Sequence, residues 1–393
     1  MSMKEYNKEI TKRALWENDE VLGMRESFKT LSKQVFGQEI DIASKESFPI
    51  HKPNFSLKKA RSKFREADVS SSFTQFLRAG IQSITNGMYE STETAYEDWV
   101  TVVNSSRRDE PYAPNHGVAF PREVGPSGKY AEVGAAALDI VLRNRKFGAV
   151  YAVEQDLIDD DSTGTFQRQA GQLGSYMKLL TEVWVYGKLA GNVAGAKYID
   201  LSIPLSETKP TDETVYPWNS TGLVGGAKTR PVAFGALTQA NIQSGFIALA
   251  EQKNLQGIKM QVNANRILIS PHYRFDIGVL LNSSYYPSGA AAAGAVGGAF
   301  ASNELKSIAE VSISRYMFDD AGSADANSKA WYLCDDSKPW FILQLREPNS
   351  IVQENPLSGR SFDEDVLRYK AKARLNADHI DPRFAWQGSD GSV

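Results

Sequence analysis

Between Thr165 and Ala190 the chain carries one uninterrupted helical stripe, and no other stretch limits the fold as strongly. Phe166, Ala170, Leu173, Met177, Leu180 and Trp184 recur at alternating steps of four and three. That spacing keeps side chains on one face of an α-helix. Tyr176, Leu179, Val183 and Tyr186 form a second stripe on another face. Such a helix is about 40 Å long at ~1.5 Å per residue, and Gly191-Asn192 is an ordinary stop for it. Immediately upstream lies Val153-Glu-Gln-Asp-Leu-Ile-Asp-Asp-Asp-Ser-Thr-Gly164, with five acids in twelve residues. Just before a first helical turn, carboxylates and hydroxyls satisfy free backbone N–H groups and favour the positive end of the dipole. Asp159 to Ser162 are therefore expected to start the helix. A calcium loop would need acids at alternate positions, then a glycine and a distant glutamate, whereas three consecutive aspartates point in three directions.

At 393 residues the chain is too long for one simple core, so several domains or one elaborated domain are expected. Hydrophobic residues make up 42% and charged residues 23%, the balance of a soluble folded protein. The net charge of -3 gives no whole-chain attraction to nucleic acid or membrane. One cysteine, Cys334, excludes an internal disulfide and a four-thiolate zinc site and fits a reducing compartment. The N-terminal twenty residues lack the apolar run of a signal peptide, and no segment approaches the ~18 apolar residues of a membrane span.

Residues 1–65 are polar and mixed in charge, with weak helical periodicity around Leu15 to Phe36. Within them Lys52, Lys58, Lys59, Arg61, Lys63 and Arg65 gather without an acid, either a solvated arm or a basic one facing nucleic acid or an acidic neighbour. Ser70-Ser-Ser precedes an amphipathic helix through Phe73, Phe76, Leu77, Ile81 and Ile84. Residues 96–103 read as a strand. From Asn104 to Gly134 come four prolines and four glycines, too long a structureless loop for a compact domain. The stretch from Leu138 to Phe147 favours a long hairpin reaching away from the body. Further on, Ala236 to Lys253 reads as a helix, Arg266 to Ser270 as a buried strand and Tyr273 to Leu281 as a helix. Residues 288–302 hold seven alanines and four glycines, a flexible or closely packed loop. Asn303 to Ile308, with strands at Trp331 to Cys334 and Trp340 to Leu345, completes an α+β portion. In Val366 to Asn376, Leu367, Tyr369, Ala371, Ala373 and Leu375 alternate with Arg368, Lys370, Lys372 and Arg374, a strand with one wholly basic face.

Gly222 to Thr229 is one residue from the phosphate-binding loop, with Ala227 where glycine is needed. Arg230-Pro231 follows it rather than a helix. His379 and Asp381 alternate on one strand, but two ligands fall short of a transition-metal site. Cys334 lies in the apolar run WYLC, as a buried small residue would. No catalytic, cofactor-binding or metal-binding residue is assigned, and an enzyme is not expected.

The order of parts, and above all Phe147 to Asp161 followed by Phe166 to Asn192, resembles the major capsid proteins of tailed bacteriophages, the Hong Kong 97 capsid fold. The resemblance covers about residues 70 to 390. It implies an α+β subunit with an N-terminal arm (1–95), an extended hairpin loop (96–137), a peripheral domain (138–235 and 351–393) built on a spine helix at 165–190, and an axial domain (236–350). It further implies self-assembly through hexamers and pentamers into an icosahedral shell around a double-stranded DNA genome, in a virion assembled in the host cytoplasm. Portal and scaffold or decoration proteins would be partners, with non-specific contact to packaged DNA and no membrane. Residues 104–137 would lie across a neighbouring subunit. Relatives often lose an N-terminal segment, and a chain starting at Met1 is expected to keep its arm. The cross-linking lysine of some relatives is not carried over: Lys129 stands alone in the loop, with no asparagine identified as partner. Two other readings remain: a cellular encapsulating nanocompartment of the same fold, and a metal-dependent hydrolase built on Asp159, Asp160 and Asp161.

Overall fold

A computed structural model describes residues 3–17, 19–36, 40–41, 73–112, 124, 140–154, 165–190, 232–234, 236–253, 258–287, 300–317, 330–353 and 366–389. The helices are α1 (Met3–Trp16), α2 (Asp19–Phe36), α3 (Phe73–Ser91), α4 (Thr165–Ala190), α5 (Gln239–Ala250) and α6 (Arg274–Asn282). The strands are β1 (Thr101–Asn104), β2 (Asp109–Tyr112), β3 (Ile140–Arg143), β4 (Arg145–Glu154), β5 (Val232–Phe234), β6 (Arg266–Ile269), β7 (Tyr285–Pro287), β8 (Phe300–Ser302), β9 (Glu310–Ile313), β10 (Trp331–Cys334), β11 (Phe341–Gln353), β12 (Val366–His379) and β13 (Ala385–Ser389). A four-stranded sheet has the order β1-β11-β12-β4 and a five-stranded sheet the order β5-β13-β10-β6-β9. Two short antiparallel pairs, β2-β3 and β7-β8, complete the fold.

The 26-residue α4 is the axis on which the rest is built. Ala170, Met177 and Trp184 of the expected stripe are buried. Of the second stripe, Val183 and Tyr186 are buried but Tyr176 is 63% exposed. The reason lies in position along the helix: from Thr181 to Gly187 every residue is buried, so the C-terminal half runs through the core while the middle keeps one face open. Against its N-terminal half lies α3. Their approach is so close that a Cβ at Gly174 would stand 2.1 Å from the Thr85 carbonyl oxygen. Only glycine lets the two backbones meet there.

The five-stranded sheet separates two cores. Along β10, Tyr332 and Cys334 join the core around α4, whereas Trp331 and Leu333 join a second core under α5 and α6. Leu268 of β6 faces the first core, and Ile267 and Ile269 the second. A strand covered on both faces has no polar side, which is why WYLC and RILI read as continuous apolar runs. Thr238 caps α5, its Oγ1 accepting from the Asn241 N–H at 3.3 Å.

Three local expectations change. Residues 96–103 are not one strand: Ala95–Asp98 is a 3-10 turn before β1. Tyr96, Glu97, Trp99 and Val100 are all buried, and the Trp99 and Val100 N–H groups turn back to the Tyr96 carbonyl at 3.2 and 3.0 Å, the bonding of a turn rather than of a ladder. The polar first segment is not free of the body either. In α1, Asn7, Thr11, Leu15 and Trp16 are buried, and Asn7 donates to the Glu97 and Val100 carbonyls at 2.9 and 2.7 Å. It docks through Leu15 and Trp16 in the core and through the Asn7 side chain on backbone carbonyls, and the latter bonds leave no hydrophobic signature. Finally, Asn303 to Ile308 forms turns, held by Asn303 Nδ2 donating to the Leu280 carbonyl at 2.6 Å.

Sheet membership also cuts across the expected domain limits. β11, beginning at Phe341, lies in the four-stranded sheet beside β12, while β13, at the end of the described chain, returns to the five-stranded one.

Candidate interaction surface

β12 alternates as its sequence requires. Tyr369, Ala371, Ala373 and Leu375 are buried toward α4, and Trp184 Nε1 of that helix donates to Asn376 Oδ1 at 3.1 Å. The opposite face carries Arg368, Lys370, Lys372 and Arg374. In register across from them on β4 stand Ala152, Val150, Gly148 and Lys146. A Cβ at Gly148 would lie 2.8 Å from the Ala371 carbonyl oxygen, so glycine is required where the two strands come closest.

Part of this basic row is neutralised within the chain. The β11 ladder slips between Leu345 and Ser350, around Pro348, and a bulge is where a strand tolerates proline. The bulge presents Glu347, which meets Lys372 Nζ at 2.9 Å and Arg374 Nε at 3.4 Å. In the sequence these four bases alternate with no acid among them; in the fold, two of them have an acid of their own sheet. Lys370 remains exposed, as does Lys146 on β4, a fifth base on this face that the alternation of β12 could not reveal.

The stem of the expected long hairpin is the β2-β3 pair, with Asp109 opposite Arg143 and Tyr112 opposite Ile140. Glu110 braces its base, accepting from Ser105 Oγ at 2.7 Å and from the Ser106 and Arg107 N–H groups at 3.0 and 3.2 Å. These bonds, Ser105 first, hold its carboxyl below the usual range. Arg143 meets Asp109 at 2.8 Å, and Val141 is 60% exposed.

Charged groups the sequence did not single out lie inside. Lys178 of α4 pairs with Glu97, both side chains almost fully buried, and its ammonium sits 5.0 Å from the Tyr89 ring and 5.6 Å from that of Tyr96. One turn on, Glu182 accepts from Ser314 Oγ at 2.8 Å and from the Ala95 N–H at 3.3 Å. Burial raises the Glu182 carboxyl above its ordinary 4.5, against those two hydrogen bonds. Both residues knit α4 to the 3-10 turn and to the end of β9. An open cleft of about 1670 Å³ lies outside this cluster, between α1, α6 and β9. Apart from Arg274, its charged lining residues are paired: Lys4 with Asp98 at 3.2 Å, and Arg266 with Asp336 and Glu310 at 2.7 and 2.6 Å.

His379 and Asp381 go to separate partners. The His379 ring packs beside Phe341 and Trp340, with Nδ1 3.3 Å from Asp378, while Asp381 pairs with the buried Arg383 at 2.5 Å. Cys334 is fully buried, and burial pushes its thiol far above its ordinary value. Among the described residues no three His, Cys, Asp or Glu side chains gather as a metal site, and no helix is long and apolar enough to cross a membrane. Residues 52–65, 159–161, 222–229 and 288–299 lie outside the described residues.

The family described as phage capsid protein matches residues 140–387, more than half of the chain, including every strand of the two sheets except β1 and the last residues of β13. A second family, the Mu-like prophage major head subunit gpT, matches residues 74–200, from α3 through α4. No curated protein matches. Among solved structures, a capsid of a native GTA particle is 12% identical, covering 76% of this chain and 90% of its own, with a TM-score of 0.48. A virus-like particle from Pyrococcus furiosus is 9% identical over 79% and 98%, with a TM-score of 0.47. A chain from Mycobacterium phage Cain is 14% identical over 74% and 87%, with a TM-score of 0.40.

Proposed function

The chain belongs to the phage capsid protein family and is a head subunit, and from that premise we propose that its copies assemble into the closed icosahedral shell around the double-stranded DNA of a tailed phage. The observation that carries this is the match over residues 140–387, which takes in the spine helix, the basic strand and most of both sheets. Its α+β architecture agrees with the Hong Kong 97 type. In this reading α4 and the four-stranded sheet form the peripheral body, and the five-stranded sheet with α5 and α6 the axial one. The β2-β3 stem launches the extended loop toward a neighbour. Val141 of the stem, 60% exposed, is an apolar group available to that neighbour. Among the described residues the charged clusters are paired and structural, with no nucleophile set beside a base.

Portal, scaffold or decoration proteins are the further partners this role implies, in a virion component assembled in the host cytoplasm. The test is direct. The chain expressed alone or with its phage's assembly partners, purified and imaged in negative stain, is expected to form closed particles of uniform size. Particles that package an enzyme and no DNA during infection would support a nanocompartment instead. A chain that stays monomeric under all these conditions overturns the reading.

A further inference from the structure

The two edges of the four-stranded sheet are treated differently. At the β1 edge the free Val102 N–H donates to Asn7 Oδ1 at 3.2 Å, so α1 closes that side. At the β4 edge no described residue pairs, and Lys146, Gly148, Ala149, Val150, Ala152 and Glu154 are all exposed. From Phe147 to Val153 no residue is charged, and Val150 at the centre is 51% exposed. Folded proteins normally protect a long edge strand with a charge, a proline, a bulge or a covering element. Among the described residues this one has no such protection from Phe147 to Val153, its middle being apolar or small, with a base at one end and an acid at the other.

That arrangement is self-complementary, and we infer that β4 pairs antiparallel with β4 of a second copy across a two-fold axis through Val150. The register is set by charge. Lys146 then faces Glu154 of the partner subunit and Glu154 faces Lys146 of the partner subunit, on the same outer side of the sheet. On that outer face Gly148 meets Ala152 of the partner subunit, so the residues flanking the central Val150 pair are small. Shifting by one residue would bring Arg145 opposite instead, but its guanidinium lies 5.4 Å from the Trp184 ring, on the inner side. The result is a continuous eight-stranded sheet through two subunits. The two basic rows on β12 end three strand spacings apart, about 14 Å, beyond the ~8 Å over which charges act at physiological salt. Their repulsion does not oppose the pairing. The inference rests on the shell-forming role, because it makes this edge a contact between copies.

The single native cysteine is buried, so an introduced one reports alone. In the proposed register Val150→Cys places two thiols on directly opposed residues, about 4.5–5.5 Å apart at Cα and within disulfide reach. Ala152→Cys, on the same face, stands about 13 Å from its counterpart and out of reach. On mild oxidation of assembled particles, the first variant is expected to run as a covalent dimer on a non-reducing gel and the second as a monomer. Adding Lys146→Glu to Val150→Cys should cut dimer yield about tenfold by setting like charges opposite at both ends, and adding Glu154→Lys as well should restore it. Particles that form normally while Val150→Cys stays monomeric, or while both cysteine variants cross-link equally, overturn the β4 pairing and leave the shell function standing. Absence of particles from the unmodified chain overturns the shell function itself.

Discussion

At the scale of single residues, the two glycines of opposite consequence are Gly174 and Gly23. Alanine is favoured over glycine in a helix by up to about 1 kcal/mol. At Gly23 in α2 nothing lies within 4 Å of an added Cβ, so Gly23→Ala is expected to stabilise by about 0.5–1 kcal/mol. At Gly174 the same methyl meets backbone at 2.1 Å, and forcing α3 from α4 costs about 1–3 kcal/mol or more, so the clash wins. Urea midpoints for the two variants should move in opposite directions. Glu182 gives a pH signature. Between the ordinary 4.5 and its raised native value, the folded chain holds more protons than the unfolded one. Its contribution to stability therefore falls as pH rises through that window and is level above it. Glu182→Gln removes this dependence. The stability of the natural chain relative to the variant should decline from pH 4.5 upward; a difference that is flat or grows with pH would sink the argument.

At the scale of elements, the stem and the strand it feeds divide the work of position and contact. β2 and β3 are fixed by Glu110 and the Arg143–Asp109 pair, whereas the proline- and glycine-rich residues between them have little apolar surface to bury at home. Deleting Arg108 to Lys129 is therefore expected to leave a soluble subunit with its two cores intact, by circular dichroism and a cooperative melt, that fails to close shells in electron micrographs. Normal shells from the deleted chain would show that the loop makes no essential contact. The core can survive the deletion because β4 and β12 pair over ten residues, Arg145–Glu154 with Val366–Leu375, without help from the stem.

At the scale of the whole molecule, charge decides more than shape. A net charge of -3 hides local excesses at residues 52–65 and on the β12 face. The β12 face is partly spent on Glu347, which leaves the 52–65 segment as the stronger candidate for contact with packed phosphates. Changing Lys58, Lys59, Arg61 and Lys63 to glutamine is expected to leave empty-shell assembly unchanged while lowering the salt at which filled particles lose DNA, since such contacts are weak, sequence-independent and screened. Unchanged DNA retention across a salt series would make this segment a solvated surface only.

What the sequence determined by itself was whatever depends on local period. The 26-residue α4 and the alternation of β12 were legible because burial on one face imposes a repeat of 3.6 or 2, and β6 and β10 because burial on both faces leaves a short apolar run. The capsid resemblance followed from their order. What only the tertiary structure decided was every feature that joins distant residues without a repeat. Asn7 sealing the β1 edge, Lys178 meeting Glu97 across 81 positions and Glu347 reaching the β12 bases each depend on a single polar side chain. A lone polar residue looks alike in sequence whether it faces water or a buried backbone group. The β4 edge, unpaired among the described residues, is of the same kind, since a strand carries no local mark of whether its second side will find a neighbour.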